Sequence, residues 1–389
     1  MASFAGGAIE AFVGPADLGA DDDLEQEIIR FIEGAQSRLD IAVQELDSMP
    51  IAQALLDARW NGVTIRLVLE QTYLEDEGDF LTKTMKEAPA EGEETAEQAR
   101  QRIQWHDDPP SGLAMNREIF SALLRSNVHI WIDNNPAIFH QKFAIRDFQG
   151  SKKETSALLT GSANWTHTDC HTNLNHLVVF HDHRVCDEYL NEFAEIASGS
   201  FGRQRHGDVP KSINIGGIPV RVLFAPDHTP ELEVIKQMLR AKDRVDFAIF
   251  TFSGSSGIDD AMVMLTRADV AVRGALDPAQ GRQWWAATEW LHDEGIEVFF
   301  PRPKAGFRKL HHKLMVIDDA IVVAGSFNYT APANEYNDEN IFVLGSPFEL
   351  PDDEGGPVDS QACADITAFF RDEIDRIVSE SSPYIPPDQ

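Results

Sequence analysis

Apolar residues at Leu24, Ile28, Ile29 and Ile32 recur at helical spacing just after the acidic triplet Asp21-Asp22-Asp23. They predict a helix whose positive N-terminal end the acids suit. The pattern then predicts a strand from Leu39 to Leu46, a helix from about Pro50 to Trp60 and a strand from Val63 to Leu69. The same order returns two hundred residues later: a helix near Pro230–Arg240, a strand Val245–Phe252, a helix Ile258–Thr266 and a strand Val270–Leu276. Leu39-Asp40-Ile41-Ala42-Val43 and Val245-Asp246-Phe247-Ala248-Ile249 match almost residue for residue. Further strands are expected at Val128–Ile132 and Ile296–Phe300, and closing strands at Leu177–Phe180 and Ile341–Leu344. Each closing strand leads into a helix, Val185–Ile196 or Ala362–Val378. Alternating strands and helices imply an α/β chain with sheets covered on both faces.

Within this repeat sit two polar signatures. His140-Gln141-Lys142 is followed by Asp147 and then by Gly161-Ser162-Ala163-Asn164; His311-His312-Lys313 is followed by Asp318 and then by Gly325-Ser326-Phe327-Asn328. Both read H-x-K-x4-D and then G-S-x-N. The first histidine and asparagine are 24 residues apart and the second pair 17, so the first copy carries seven extra residues between Asp147 and Gly161. The polar run Gln149–Lys153 reads as a longer hairpin turn. Phe143 and Ile145, or Leu314 and Val316, alternate in strand fashion behind the histidine and lysine.

This doubled motif resembles the phospholipase D superfamily of phosphodiesterases. The resemblance implies two pseudo-symmetric lobes, each a mixed, mostly parallel sheet flanked by helices. It places the lobes at residues 1–200 and 220–389, with a linker at 201–219 rich in Gly, Ser and basic residues. It also implies that both motif sets converge on one site, complete within a single chain. An insertion from Leu74 to about Met115, with Glu91-Gly92-Glu93-Glu94 and Pro109-Pro110, reads as a solvated excursion.

Composition narrows the class. The chain has 389 residues, 43% hydrophobic and 25% charged, enough for two domains with their own cores. No apolar run is long enough to span a bilayer, and the first nineteen residues lack the basic start and apolar core of a signal peptide. Three scattered cysteines, Cys170, Cys186 and Cys363, suit reduced thiols, and a cytoplasmic location is expected. The net charge of −31 opposes stable association with anionic membranes and tight non-specific binding to long duplexes. Local charge differs: Arg302, Lys304, Arg308, Lys309 and Lys313 occur without an acid among them, a basic lip in which Arg308 and Lys309 are the expected substrate contacts.

Cleaving a phosphodiester requires attack on an anion and protonation of a poor leaving group. Two histidines facing one phosphorus supply both: one attacks to give a phosphohistidine, the other serves as general acid and then base. The resemblance assigns these roles to His140 and His311. Lys142, Lys313, Asn164 and Asn328 then hold the non-bridging oxygens. Ser162 and Ser326 add hydroxyl contacts or brace the loops, and neither metal nor cofactor is needed. Glu339 lies 28 residues after His311, where the family commonly places a carboxylate that orients the histidine; its counterpart after His140 is Asn175, a departure. On that spacing His311 is expected to be held by Glu339 and to act as the acid, with His140 the neutral nucleophile. Asp147 and Asp318 read as structural, tying the two halves together.

Other residues read as packing. His312 points to the opposite face from His311, as a packed or bridging histidine. His181-Asp182-His183 reads as a loop rather than a metal pair, having no third ligand nearby. Trp284, Trp285 and Trp290 fit a core helix face; Trp165 and Tyr329 suit packing or the cleft equally. The turns Gly161–Thr166 and Gly325–Thr330 resemble the endonuclease and mitochondrial-type branches, so the expected substrate is DNA or RNA. The alternative is a phospholipase D or phosphatidyltransferase acting on lipid head groups. Retention of both His/Lys pairs argues against an inactive scaffold.

Overall fold

The computed structural model describes residues 2–71, 112–148, 155–204, 207–346 and 356–386. The acidic Glu91–Glu94 run, most of the expected insertion and the Gln149–Lys153 turn lie outside them.

The first sheet is built from β1 (Ala2–Phe4), β2 (Ile9–Gly14), β3 (Arg38–Val43), β4 (Thr64–Leu69), β5 (His129–Ile132), β6 (Lys142–Arg146), β7 (Ala157–Gly161) and β8 (Asn173–Phe180), in the order β1-β2-β8-β7-β6-β3-β4-β5. The second comprises β9 (Ile213–Ile215), β10 (Ile218–Ala225), β11 (Arg244–Ile249), β12 (Ala271–Leu276), β13 (Glu297–Pro301), β15 (Lys313–Ile317), β16 (Ile321–Gly325), β17 (Glu339–Leu344) and β18 (Ser381–Pro383), in the order β18-β13-β12-β11-β15-β16-β17-β10-β9. Strand β14 (Lys309–Leu310) precedes β15 in the chain yet pairs with β8 of the first sheet. The helices are α1 (Leu24–Glu33), α2 (Met49–Trp60), α3 (Gly112–Arg125), α4 (His167–His171), α5 (His183–Ala197), α6 (Pro230–Met238), α7 (Ile258–Arg267), α8 (Thr288–Asp293), α9 (Ala331–Glu335) and α10 (Ser360–Ser379).

The two mixed sheets, each flanked by helices, repeat one pattern as expected. They are not mostly parallel, however. Among the named strands, parallel pairing is confined to β3-β4-β5, β11-β12-β13 and the short β14-β8 pair between the lobes. The chain must cross over through a helix only between the strands of the two triplets; the motif strands join their neighbours by hairpins or short returns, which give antiparallel pairs.

Local chemistry explains the helix starts. Asp23 caps α1 by accepting from the Gln26 amide at 3.1 Å, and Ser48 caps α2 by accepting from Ile51. Asp182 caps α5 and pairs with Arg184, so His181-Asp182-His183 is a helix entry rather than the expected loop. The three cysteines are free and buried. A central core joins both sheets, with Phe139, Phe143, Tyr189 and Phe193 packed in one cluster with Phe224, Leu310, Phe370 and Ile374. The expected tryptophan face is a correction: Trp284 is 93% exposed and Trp290 43%, because 280–287 forms turns rather than a long helix. Trp165 and Tyr329 are fully buried packing residues.

Asp147 and Asp318 close the far ends of β6 and β15, both with positive φ, of 58° and 48°. Asp147 accepts from the backbone amides of Gln36, Ser37 and Arg38 and from the Ser37 hydroxyl. Asp318 accepts from the amides of Lys242, Asp243 and Arg244. They are structural, but each ties the turn before β3 or β11 within its own lobe rather than joining the lobes. Asp147→Ala strands several backbone donors and is expected to cost about 2–4 kcal/mol of stability. A melting curve checks this, and turnover per folded molecule should stay within about twofold of wild type because the site is at the other end of the strand.

Candidate active site

Each motif histidine is carried into the opposite lobe by backbone pairing. Phe139 bridges Asp338, and the His140 amide donates to the Asp338 carbonyl at 2.9 Å. In the mirror arrangement β14 pairs with β8, and the His311 amide donates to the Leu174 carbonyl at 2.9 Å. Residues 339 and 175, next along those strands, therefore face the other lobe's histidine. His140 Nδ1 lies 2.6 Å from Glu339 Oε2, whereas His311 Nδ1 lies 3.0 Å from Asn175 Oδ1 and 3.5 Å from Asp169 Oδ2. This reverses the expected pairing: Glu339 holds His140, not His311. Counting along one chain cannot reveal such an exchange, because the strand that carries the partner belongs to the other sheet.

The serines stand behind these partners. Ser162 Oγ donates to Asn175 Oδ1 at 2.7 Å, and Ser326 Oγ to Glu339 Oε2 at 2.7 Å. Each hydroxyl in turn accepts the backbone amide of the next strand residue, His176 or Asn340. The glycine that opens each G-S-x-N turn is dictated by close approach: a Cβ on Gly161 or Gly325 would sit 2.2 Å from the His176 carbonyl oxygen or 2.4 Å from that of Asn340. The Asn164 backbone N–H donates to Asp169 Oδ2. The side-chain oxygens of Asn164 and Asn328 are buried with no partner among the described residues, leaving a hydrogen-bonding end of each amide for a ligand.

Below the histidines a second polar layer repeats the symmetry. Asn340 donates to Gln141 and Gln141 to Glu192, while His312 contacts His176 at 3.1 Å and Glu373 at 3.2 Å. His312 is thus the buried, bridging residue its position implied.

Lys142 and Lys313 are each 1% exposed, and each ammonium donates to the carbonyl of its own motif histidine, at 3.0 and 2.8 Å. Burial lowers Lys142 to about 8, against the pull of Glu339, Glu45, Asp169 and Glu70. Burial and the neighbouring Lys142 charge push Lys313 well down. Burial, then the lysine charges, push His140 and His311 well below the usual imidazole range. Burial raises Glu339, while Lys142, Ser326, Lys313 and Asn337 hold it down. The 2.6 Å contact between two lysines favours an ionised Glu339, and we assign the shared proton to His140 Nδ1. Both imidazoles bond through Nδ1, which leaves Nε2 available for chemistry.

A site with two buried lysines attracts an anion only while they are charged. Raising pH through about 8 removes the Lys142 charge, so kcat/KM is expected to fall above that value. A bound phosphodiester anion stabilises the ammonium, so the fall in kcat should come at higher pH. Parallel pH profiles of the two constants check this.

Several site residues were not read from the sequence. Gln44 accepts from Lys142 Nζ at 3.2 Å. Its counterpart Phe250 packs its ring 4.8 Å from that of His311 and lies beneath Lys313 and Lys309 Nζ at 5.0 and 5.5 Å. Both follow immediately after the matched strand segments, a signal that extending the repeat by one residue would have found. Asp169 lies three residues after Thr166, whose hydroxyl caps α4. Arg308 and Lys309 are exposed on the strand leading to His311, whereas Lys304 is engaged by Glu380 and the Leu18 carbonyl. The basic lip is therefore narrower than the sequence suggested.

The family described as cardiolipin synthase, PLD-like domain, matches residues 28–197 and 234–352, well over half of the chain. The chain belongs to the phospholipase D superfamily. A mitochondrial cardiolipin hydrolase of Xenopus laevis is 32% identical over 110 residues, covering 28% of this chain and 50% of that protein. A phospholipase D of Rickettsia bellii is 31% identical over 151 residues, covering 31% of this chain and 72% of that one. The chain spans about half the length of the cardiolipin hydrolases it matches. Among solved structures, the phosphatidylserine synthase of Haemophilus influenzae aligns over 99% of this chain and 88% of its own, with TM-score 0.59 and 12% identity, a likeness of fold.

Proposed function

We propose that the protein cleaves DNA or RNA through a phosphohistidine on His140. The observation that carries the mechanism is the exchange between lobes, which presents two imidazoles, each with Nδ1 pinned by a residue of the other lobe, beside two buried lysines. His140 Nε2 attacks phosphorus in line; a P–N bond forms as the P–O bond to the leaving group breaks, and His311 Nε2–H gives its proton to the departing oxygen. His311 then takes a proton from water, whose oxygen attacks phosphorus and breaks the P–N bond. Attack makes the His140 ring cationic, and Glu339 at its Nδ1 offsets that charge, as the acid of a catalytic triad does. His311 needs a proton it can lose: burial and the lysines disfavour that proton in the empty site, and the bound phosphodiester anion together with Asp169, 3.5 Å from Nδ1, favours it. Lys142, Lys313, Asn164 and Asn328 face the non-bridging oxygens.

For the substrate, Phe250 beside His311 offers an aromatic face, and Lys309 and Arg308 lead up to it on an otherwise acidic protein. Aromatic stacking with backbone cations suits a single nucleic-acid strand. Among the described residues no helix is long and apolar enough to cross a membrane. The lipid reading rests on a different observation, the names of the cardiolipin hydrolase and phospholipase D relatives. Parallel assays on single-stranded DNA, RNA and phospholipid vesicles in excess chelator, with His140→Ala as control, separate the two. Turnover of nucleic acid alone supports the proposal, and turnover of vesicles alone replaces it with the lipid reading.

A further inference from the structure

Away from the phosphodiester site, helix α4 and the start of α1 bring together Glu25, His167 and His171. Ligand-capable atoms of all three lie within 4.8 Å of one another. His167 and His171 are four apart, so one helical turn places both on the same side of α4. His171 Nδ1 contacts Asp17 Oδ2 at 2.7 Å, which directs Nε2 toward Glu25, whose Oε2 is 3.3 Å away. The other Glu25 oxygen accepts from Ser48 Oγ at 2.6 Å. Two of the three groups are thus oriented from behind, a carboxylate on the imidazole and a hydroxyl on the carboxylate, as outer partners orient the ligands of metal centres.

We propose that Glu25, His167 and His171 form a binding site for one divalent transition-metal ion of the zinc class. Zinc–nitrogen and zinc–oxygen bonds of about 2.0–2.2 Å in a tetrahedron set ligand atoms about 3.3–3.5 Å apart. The Glu25–His171 separation already has this value, and exposed His167 closes the remainder by side-chain rotation. Imidazole and carboxylate ligands select zinc-like ions over calcium or magnesium. The ion acts as a brace. It clamps α4 to α1, and α4 lies within the segment from Asn164 to Asn175 that carries Asp169 and supports His311. The fourth coordination position is left to water.

The test uses the full chain stripped of metal by chelator and dialysed. Thermal unfolding with ZnCl2 is expected to show a rise of about 3–6 °C at a hundredfold excess over Kd, with one ion bound by calorimetry. Co(II) should give the visible d–d absorption of a four- or five-coordinate site. His167→Ala, an exposed residue whose loss leaves the fold intact, should abolish both signals. Asp17→Asn should weaken binding by about 10–100-fold. His140→Ala and His311→Ala should retain the shift. The proposal is overturned if zinc leaves the melting temperature of the wild type unchanged, if His167→Ala keeps the shift, or if the shift disappears with His140 or His311, which would place the ion in the phosphodiester site.

Discussion

His311→Ala is expected to lose about 10²–10⁴-fold in hydrolysis of an ordinary phosphodiester, yet to keep near-normal first-step reactivity with a nitrophenyl ester. An alkoxide needs a proton to depart; nitrophenolate does not. The nitrophenyl ester should therefore phosphorylate His140 in a burst and then stall, because the base for the water step is missing. His140→Ala should lose the burst with both substrates, at least about 10⁴-fold, since no nucleophile replaces the ring. A stopped-flow trace of nitrophenolate release distinguishes the two. Equal losses on both esters from His311→Ala would mean that the histidines do not divide the labour in this way.

The second large effect concerns the exchanged partners. Glu339→Gln keeps a hydrogen-bonding group 2.6 Å from His140 but removes the charge that balances the cationic ring. An expected drop in kcat of about 10²–10⁴-fold, with KM little changed, follows from the triad logic. The loss should persist with the nitrophenyl ester, because attack itself is impaired. Asp169→Asn acts on His311 and should cost about 10–100-fold with a poor leaving group and almost nothing with a good one. Asn175→Asp in that background moves a carboxylate onto the same Nδ1 and is expected to restore much of the loss. Had Glu339 served His311, both patterns would be interchanged.

Much of this was readable in the sequence because it depends on local spacing. The repeat of helix, strand, helix and strand, the two H-x-K-x4-D strands and both G-S-x-N turns fall where the hydrophobic pattern placed them, since each is dictated by residues within one lobe. What was not readable depends on pairing between lobes. Glu339 is 28 residues from His311 and 199 from His140, yet it touches the distant one, because Phe139 bridges Asp338 across the central core. Asp169 escaped notice because its counterpart in the second lobe is Ala333, so the repeat offered no matching acid. The tryptophans misled for a related reason: apolar residues at helical spacing read as core, but Trp284 lies among turns and faces solvent.

The most direct test of two imidazoles serving one phosphorus is to locate the covalent intermediate. After rapid quenching of His311→Ala with the nitrophenyl ester, one phosphoryl group per chain should map by peptide mass spectrometry to His140. Label on Lys142, on any residue outside the motif pair, or at no site during a measurable burst would contradict the account.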